Sequence, residues 1–331
     1  MKKILRFLLM LVLLVVVLIG AGALYIHLDG IPKYDVEKVS FKGDEHPDST
    51  SLALGLKIAS VQCIVCHYNQ EDGKLSGRFL YELPPVFGKI HSYNITQSKE
   101  HGIGNWTDDQ IAYFLRTGVK PSGQYVPIYM PKFPHMSDTD LKGILAFLHS
   151  DNKLVQPSER SSIPAEPSFL TKFLCHVAFK KLPYPTTAIA EPDTNDLVAY
   201  GRYLVVGRYD CYPCHSADFK KINLQEPEKS EGFMGGGNQL VTPNGDKEPE
   251  KHIIFTANLT PDDETGIGTW TEDDFRRAML EQKNKDGHAL RQPMLPYNGM
   301  SDLEVKAIYK YLRSLPPIKN KVNRQYENAE L

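Results

Sequence analysis

Cys63-Ile64-Val65-Cys66-His67 and Cys211-Tyr212-Pro213-Cys214-His215 are two copies of one pentapeptide pattern, 148 residues apart in a chain of 331. Further matches lie downstream of each copy. Asn94-Ile95-Thr96 and Gly102-Ile103-Gly104-Asn105-Trp106-Thr107 recur as Asn258-Leu259-Thr260 and Gly266-Ile267-Gly268-Thr269-Trp270-Thr271, at an offset of 164. Met130, Met136 and Ser137-Asp138 recur as Met294, Met300 and Ser301-Asp302 at that same offset. The chain therefore reads as one domain written twice, the second copy 16 residues longer between His215 and Asn258. That extra stretch holds Gly235-Gly236-Gly237 and the charged run Asp246 to Lys251, which predicts a flexible surface loop.

Apolar spacing predicts helices rather than strands. One helix precedes each pentapeptide, over 51–61 and 197–206, and a short one follows each Trp, over 108–116 and 272–280. Each copy ends in an amphipathic helix, with Leu141, Ile144, Leu145 and Leu148 in the first and Val305, Ile308, Tyr309 and Leu312 in the second. Ser137 and Ser301 stand where N-caps belong, and Glu304 completes a capping box. No strand alternation is evident. The fold class is mainly α: tandem domains behind an N-terminal transmembrane helix. The bounds are an anchor over 1–28, a first domain over 45–150, a proline-rich connection over 151–196, a second domain over 197–320 and a loose tail over 321–331. In the connection, six prolines from Pro157 to Pro192 predict an extended path over the surface, and Phe169 to Phe179 a helix packed between the domains.

Two cysteines three apart on a helical turn share a face, and a histidine next to the second projects from it too. A haem needs such a set: two thiols to add to its vinyl groups and an imidazole to ligate iron, which is the c-type attachment signal. A four-cysteine zinc site would have to join pairs 148 residues apart. A thioredoxin-like pair needs a βαβ setting that is absent, and disulfides leave the repeated histidine unexplained. Two covalently bound haem c groups are expected, held by Cys63, Cys66 and His67 and by Cys211, Cys214 and His215.

The sixth iron position calls for another ligand. Met130 and Met294 hold equivalent loop positions before the last helix of each copy. Met136 and Met300 compete, but they sit beside the serine caps, where an apolar residue staples onto its helix. The metal ligands are read as His67 with Met130 and His215 with Met294. Asn94, Trp106, Asn258 and Trp270 are read as framing the haems, with amide or indole N–H groups offered to propionates. A turn role for the asparagines and a core role for the tryptophans fit equally. Cys175, the fifth cysteine, is read as a buried thiol of the connecting helix.

Lys2, Lys3 and Arg6 precede an unbroken apolar run from Phe7 to Ile26. Its 20 residues span ~30 Å as a helix, enough for a bilayer core and longer than a signal-peptide core. The basic flank keeps the N-terminus cytoplasmic and exports the rest. Hydrophobic content of 41% and charged content of 24% exclude a disordered chain. A net charge of −2, and −5 for the part beyond the anchor, offers no basic excess for nucleic acid.

These residues resemble a membrane-anchored dihaem cytochrome c with two class I type domains. The chain is similar to the cytochrome c subunits of bacterial alcohol and gluconate dehydrogenases. The resemblance rests on both pentapeptides, on Asn-x-Thr with Gly-Ile-Gly-x-Trp in each copy, and on Met130-Pro131 and Pro293-Met294 before Met-Ser-Asp. It implies an electron carrier, not an enzyme, on the periplasmic face of a bacterial inner membrane. Single electrons would pass between a dehydrogenase or quinol oxidase and a terminal acceptor, with redox proteins and the membrane as partners and no small-molecule substrate. The alternative is a dihaem peroxidase-like enzyme. That chemistry needs an open iron site, and a methionine at the same place in both copies argues against one.

Overall fold

The computed structural model describes residues 2–331 apart from 243–251, 292–293, 295, 298, 324–326 and 329–331. Ten helices are defined among the described residues: α1 Lys2–Asp29, α2 Ser49–Gln62, α3 Ile64–His67, α4 Asp108–Thr117, α5 Asp138–Leu148, α6 Phe169–Val177, α7 Leu197–Tyr203, α8 Tyr212–His215, α9 Glu272–Glu281 and α10 Asp302–Ser314. The helix starts are written in the sequence. Asp48 accepts from the Ser51 N–H to open α2. Thr107 with Gln110, Thr271 with Asp274 and Ser301 with Glu304 form capping boxes on α4, α9 and α10.

One packing scheme occurs in both halves. α2 crosses α5 and α7 crosses α10, and at each crossing a glycine lets the backbones touch. A Cβ on Gly55 would lie 1.9 Å from the Gly143 carbonyl oxygen, and one on Gly201 2.0 Å from that of Ala307. Around the first crossing Ile58, Leu75, Ile111, Met136, Leu141 and Leu145 form one core. Around the second, Tyr200, Leu204, Phe275, Met300, Val305 and Ile308 form another. Gly55 stands eight residues before Cys63, whereas Gly201 stands ten before Cys211. The extra length is taken up by a π-helical turn over Leu204–Arg208 and by Asp210 in a left-handed conformation, φ 49°.

Among the described residues, five short strands depart from the strandless expectation. β1 Gly88–Lys89 pairs with β2 Glu166–Pro167, while β3 Gln239–Thr242, β4 His252–Phe255 and β5 Glu327–Asn328 form an antiparallel sheet in the order β3-β4-β5. The longer loop of the second half is therefore anchored by a hairpin; the run Asp246 to Lys251 lies outside the described residues. Gly235-Gly236-Gly237, expected to be flexible, is packed in. Gly236 N donates to the His215 carbonyl and Gly237 N to that of Thr256. A Cβ on Gly236, at φ 68°, would strike the Ala257 backbone at 2.4 Å. Asn320 Nδ2, just before the tail, donates to the carbonyls of Gly235 and Gly236, and within the tail, expected to be loose, β5 joins β4.

The connection follows an extended path along the first half, as its prolines predict. Val155 O accepts from Gln97 N and its side chain enters the first core, Leu182 N bonds Thr117 O, and Ile189 O accepts from Asp138 N. Its helix departs from expectation in place. α6 packs on the base of α1, on the 3-10 turn Pro85–Phe87 and on β2, rather than between the halves. Cys175 is wholly buried beside Tyr113, Val119 and Tyr125.

The two halves are joined through a buried ionic cluster. Arg208 Nε and Nη2 both donate to the Asp140 carboxylate at 2.8 Å, Nη1 donates to Glu304 at 2.7 Å and Nη2 to Glu191 at 2.8 Å. Lys57 Nζ from α2 also reaches Glu304, at 2.9 Å. Tyr203 OH bonds Ser137 and Asp140 at the start of α5. Asp140 and Glu304 are 0% and 2% exposed, a burial tolerated for carboxylates only with such partners.

Candidate cofactor sites

Each pentapeptide forms a single helical turn at the end of a longer helix. His67 N bonds the Cys63 carbonyl at 2.9 Å and His215 N that of Cys211 at 3.1 Å, which puts both thiols and the imidazole around one turn. The five cysteines are all free of disulfides. Burial pushes the Cys63 thiol up to about 12 and that of Cys66 to about 11.

The two imidazoles are oriented alike. His67 Nδ1 lies 2.7 Å from the Tyr93 carbonyl oxygen and His215 Nδ1 2.9 Å from that of Ala257. A carbonyl only accepts, so Nδ1 carries the proton and the ring lone pair sits on Nε2. Burial pulls His67 down to about 4 against the raising effect of the Tyr93 carbonyl, so this ring is neutral at physiological pH. A neutral imidazole with a fixed tautomer is the form that ligates a metal.

The asparagines hold the loops that supply those carbonyls. Asn94 Oδ1 accepts from the Thr96 N–H at 2.9 Å and its Nδ2 donates to the Arg160 carbonyl at 2.8 Å. Asn258 Oδ1 accepts from the Thr260 N–H at 3.0 Å and its Nδ2 donates to the Ile318 carbonyl at 2.7 Å. Their amide N–H groups donate to chain carbonyls, the bonding that a turn role describes. Each asparagine follows the residue whose carbonyl receives the histidine. Sequence reading missed Tyr93 and Ala257 because their main chain does the work. The signal was positional: both immediately precede the repeated asparagine.

In the second half a cavity of about 530 Å³ opens beside the motif. Cys211, Cys214, His215, Met294, Trp270 and Asn258 line it together, within the size range of cofactor sites. Asp210 and Tyr297 line it too. Burial pushes the Asp210 carboxyl up to about 8, and sequence reading gave neither residue a part. Met294 faces this cavity, whereas Met300 lies in the second core beside its serine cap. In the first half Met130, Cys63, Ile64 and Trp106 pack on the first core, and Met136 is fully buried within it. Cys66 packs with Leu80, Phe87 and Ile90, and Phe219 of the second half joins that cluster, 5.8 Å from the Phe87 ring. The two motifs thus approach each other on their second-cysteine sides. Pro293 and Leu295, which flank Met294, lie outside the described residues.

No family model matches the chain. It is 30% identical over 82% of its length to the fructose dehydrogenase cytochrome subunit of Gluconobacter japonicus, of which it covers 53%. It is 28% identical over 85% of its length to the cytochrome c subunit of alcohol dehydrogenase (quinone) of Gluconobacter oxydans (strain 621H), of which it covers 58%. A dihaem c-type cytochrome of Cereibacter sphaeroides is 30% identical over 70% of the chain, which covers 73% of that protein. The chain thus spans little more than half the length of the dehydrogenase subunits it matches.

Proposed function

The chain belongs to the c-type cytochrome family that these relatives represent, and from that premise we infer that it holds two covalently bound haem c groups and relays single electrons. When bound, the haem iron supplies one-electron exchange between its ferric and ferrous states. Cys63 and Cys66, and Cys211 and Cys214, would fix the two rings to the chain. His67 and His215 would each present Nε2 to iron, with the imidazole plane set by the Tyr93 and Ala257 carbonyls. Met130 and Met294 would complete the axial pairs, raising the potentials and leaving no position for substrate. The observation that carries this reading is the pentapeptide turn with its histidine bonded to a loop carbonyl, present twice in the same geometry.

The site residues, the domain bounds and the tandem repeat are part of the same reading. The base of α1 is bound into the first half: His176 Nε2 lies 3.1 Å from the Gly30 carbonyl, and its ring meets Tyr25 at 5.8 Å. This supports α1 as a retained anchor rather than a cleaved signal, with the haem domains on the periplasmic side and the N-terminus cytoplasmic. Two of the named relatives are cytochrome subunits of dehydrogenases, which supports a dehydrogenase rather than a quinol oxidase as electron donor; a terminal acceptor such as a terminal oxidase would take the electrons onward. A peroxidase reading has no support in these names.

A redox titration followed in the visible and far red tests this. The expected result is two c-type haems, each with the methionine-to-iron band when oxidised, and loss of about half that band in each of Met130→Ala and Met294→Ala. A single haem per chain, or a band untouched by either substitution, would overturn the assignment.

A further inference from the structure

α6 is amphipathic with its faces reversed. Thr171 and Cys175 point inward and are fully buried. Phe169, Leu170, Phe173 and Val177 point outward, 47%, 41%, 39% and 57% exposed. At ~100° per residue those four positions share an arc of ~100°, the width of a single apolar stripe. The phenyl rings of Phe169 and Phe173 stack on each other at 6.5 Å, so the stripe is a continuous surface. Val86, 52% exposed in the 3-10 turn against which α6 packs, extends it.

The position of this stripe says what covers it. α6 packs on the last turn of α1, the helix long and apolar enough to cross a membrane. His176 on α6 bonds the Gly30 carbonyl and lies 3.5 Å from the Asp29 carboxylate, at the end of the apolar run. Tyr25, an aromatic residue of the kind that marks the membrane–water boundary, meets the same His176 ring. The stripe therefore stands at the level where α1 leaves the hydrocarbon. We propose that α6 is an interfacial helix that rests its Phe169, Leu170, Phe173 and Val177 face in the surface of the bilayer that α1 crosses, fixing the first domain against the membrane. Helices of this kind bury their apolar face ~5–10 Å into the headgroup and acyl boundary. A single-pass tether alone leaves a domain free to swing; a second contact beside it fixes which surface faces the lipid.

The inference rests on α1 being a retained anchor, and the test separates the two. The full-length haem-loaded protein is reconstituted into phosphatidylcholine–phosphatidylglycerol vesicles. Single nitroxide labels are placed by Leu170→Cys and by Phe173→Cys, with Val15→Cys in α1 and Leu303→Cys on α10 as references; the buried Cys175 is checked by labelling the unaltered chain. Accessibility to oxygen and to a water-soluble nickel complex is compared. The expected result is that labels at 170 and 173 follow the lipid-phase label at 15, with oxygen favoured several-fold over nickel, while the label at 303 is aqueous. Lipid-phase behaviour at 15 with aqueous behaviour at both 170 and 173 overturns the interfacial role and leaves the anchor standing. Aqueous behaviour at 15 overturns the anchor and the proposal with it. Two independent sites on α6 guard against one substitution disturbing the fold.

Discussion

Arg208→Met tests the joint between the two halves. The substitution preserves much of the side-chain bulk and removes the cation that faces Asp140, Glu304 and Glu191. Glu304 keeps Lys57 at 2.9 Å and the Ser301 N–H at 2.7 Å, so its charge stays compensated. Asp140, at 0% exposure, loses both of its guanidinium hydrogen bonds and keeps Tyr203 and the N-terminal end of α5. Breaking a buried pair from one side costs about 3–5 kcal/mol. The helix dipole returns roughly 0.3–1 kcal/mol, so a loss of about 3 kcal/mol is expected. With a guanidinium slope of roughly 2–6 kcal/mol per molar, that is a midpoint lowered by about 0.5–1.5 M. The assay is equilibrium unfolding of the haem-loaded protein in detergent, followed by the Soret band. Arg208→Met combined with Asp140→Leu is expected to recover most of the loss, because the wholly buried carboxylate is gone and Glu191, 25% exposed, is within reach of solvent. A midpoint shift under about 0.2 M for the single variant, or a double variant no better than the single, would refute the account.

The remaining predictions concern packing and pH. Gly201→Ala and Gly55→Ala gain about 1 kcal/mol of helix propensity but drive a methyl into the Ala307 and Gly143 carbonyls. A net loss of stability is expected from overpacking of about 1–3 kcal/mol or more, read as a lower melting temperature; a rise would show that the helices do not cross so closely. Burial pushes the Glu304 carboxyl up, but the hydrogen bond and charge of Lys57, the Ser301 N–H and the charge of Arg208 outweigh it and hold it below its usual value. Its contribution is therefore fully present above the unfolded carboxylate range, about 4.3, and is lost as pH falls through the lower folded value. The stability gap between the unaltered protein and Glu304→Gln is expected to narrow below about pH 4; a gap independent of pH would count against the ionised pair.

What the sequence determined by itself is local. The pentapeptides place three chemical groups within five consecutive residues, so one helical turn suffices to bring them together. The capping residues and the Leu141 and Val305 helices are local for the same reason, since a cap and an amphipathic stripe are satisfied within a few turns. Only the tertiary structure decided the rest. The histidine tautomer depends on main-chain carbonyls at Tyr93 and Ala257, whose side chains carry no signal. Asn94 and Asn258 have the same chemistry whether they face a propionate or a loop, and the partners that settle their hydrogen bonds, Arg160 and Ile318, lie about 60 residues away. The Gly235-Gly236-Gly237 segment looks flexible in isolation because glycine is permissive, yet that freedom is used for close approach to Ala257. Arg208 and Asp140 lie 68 residues apart and meet where two separate cores pack together. The stripe on α6 has the same period whether it faces in or out, because periodicity fixes that a helix has an apolar face but not which surface covers it.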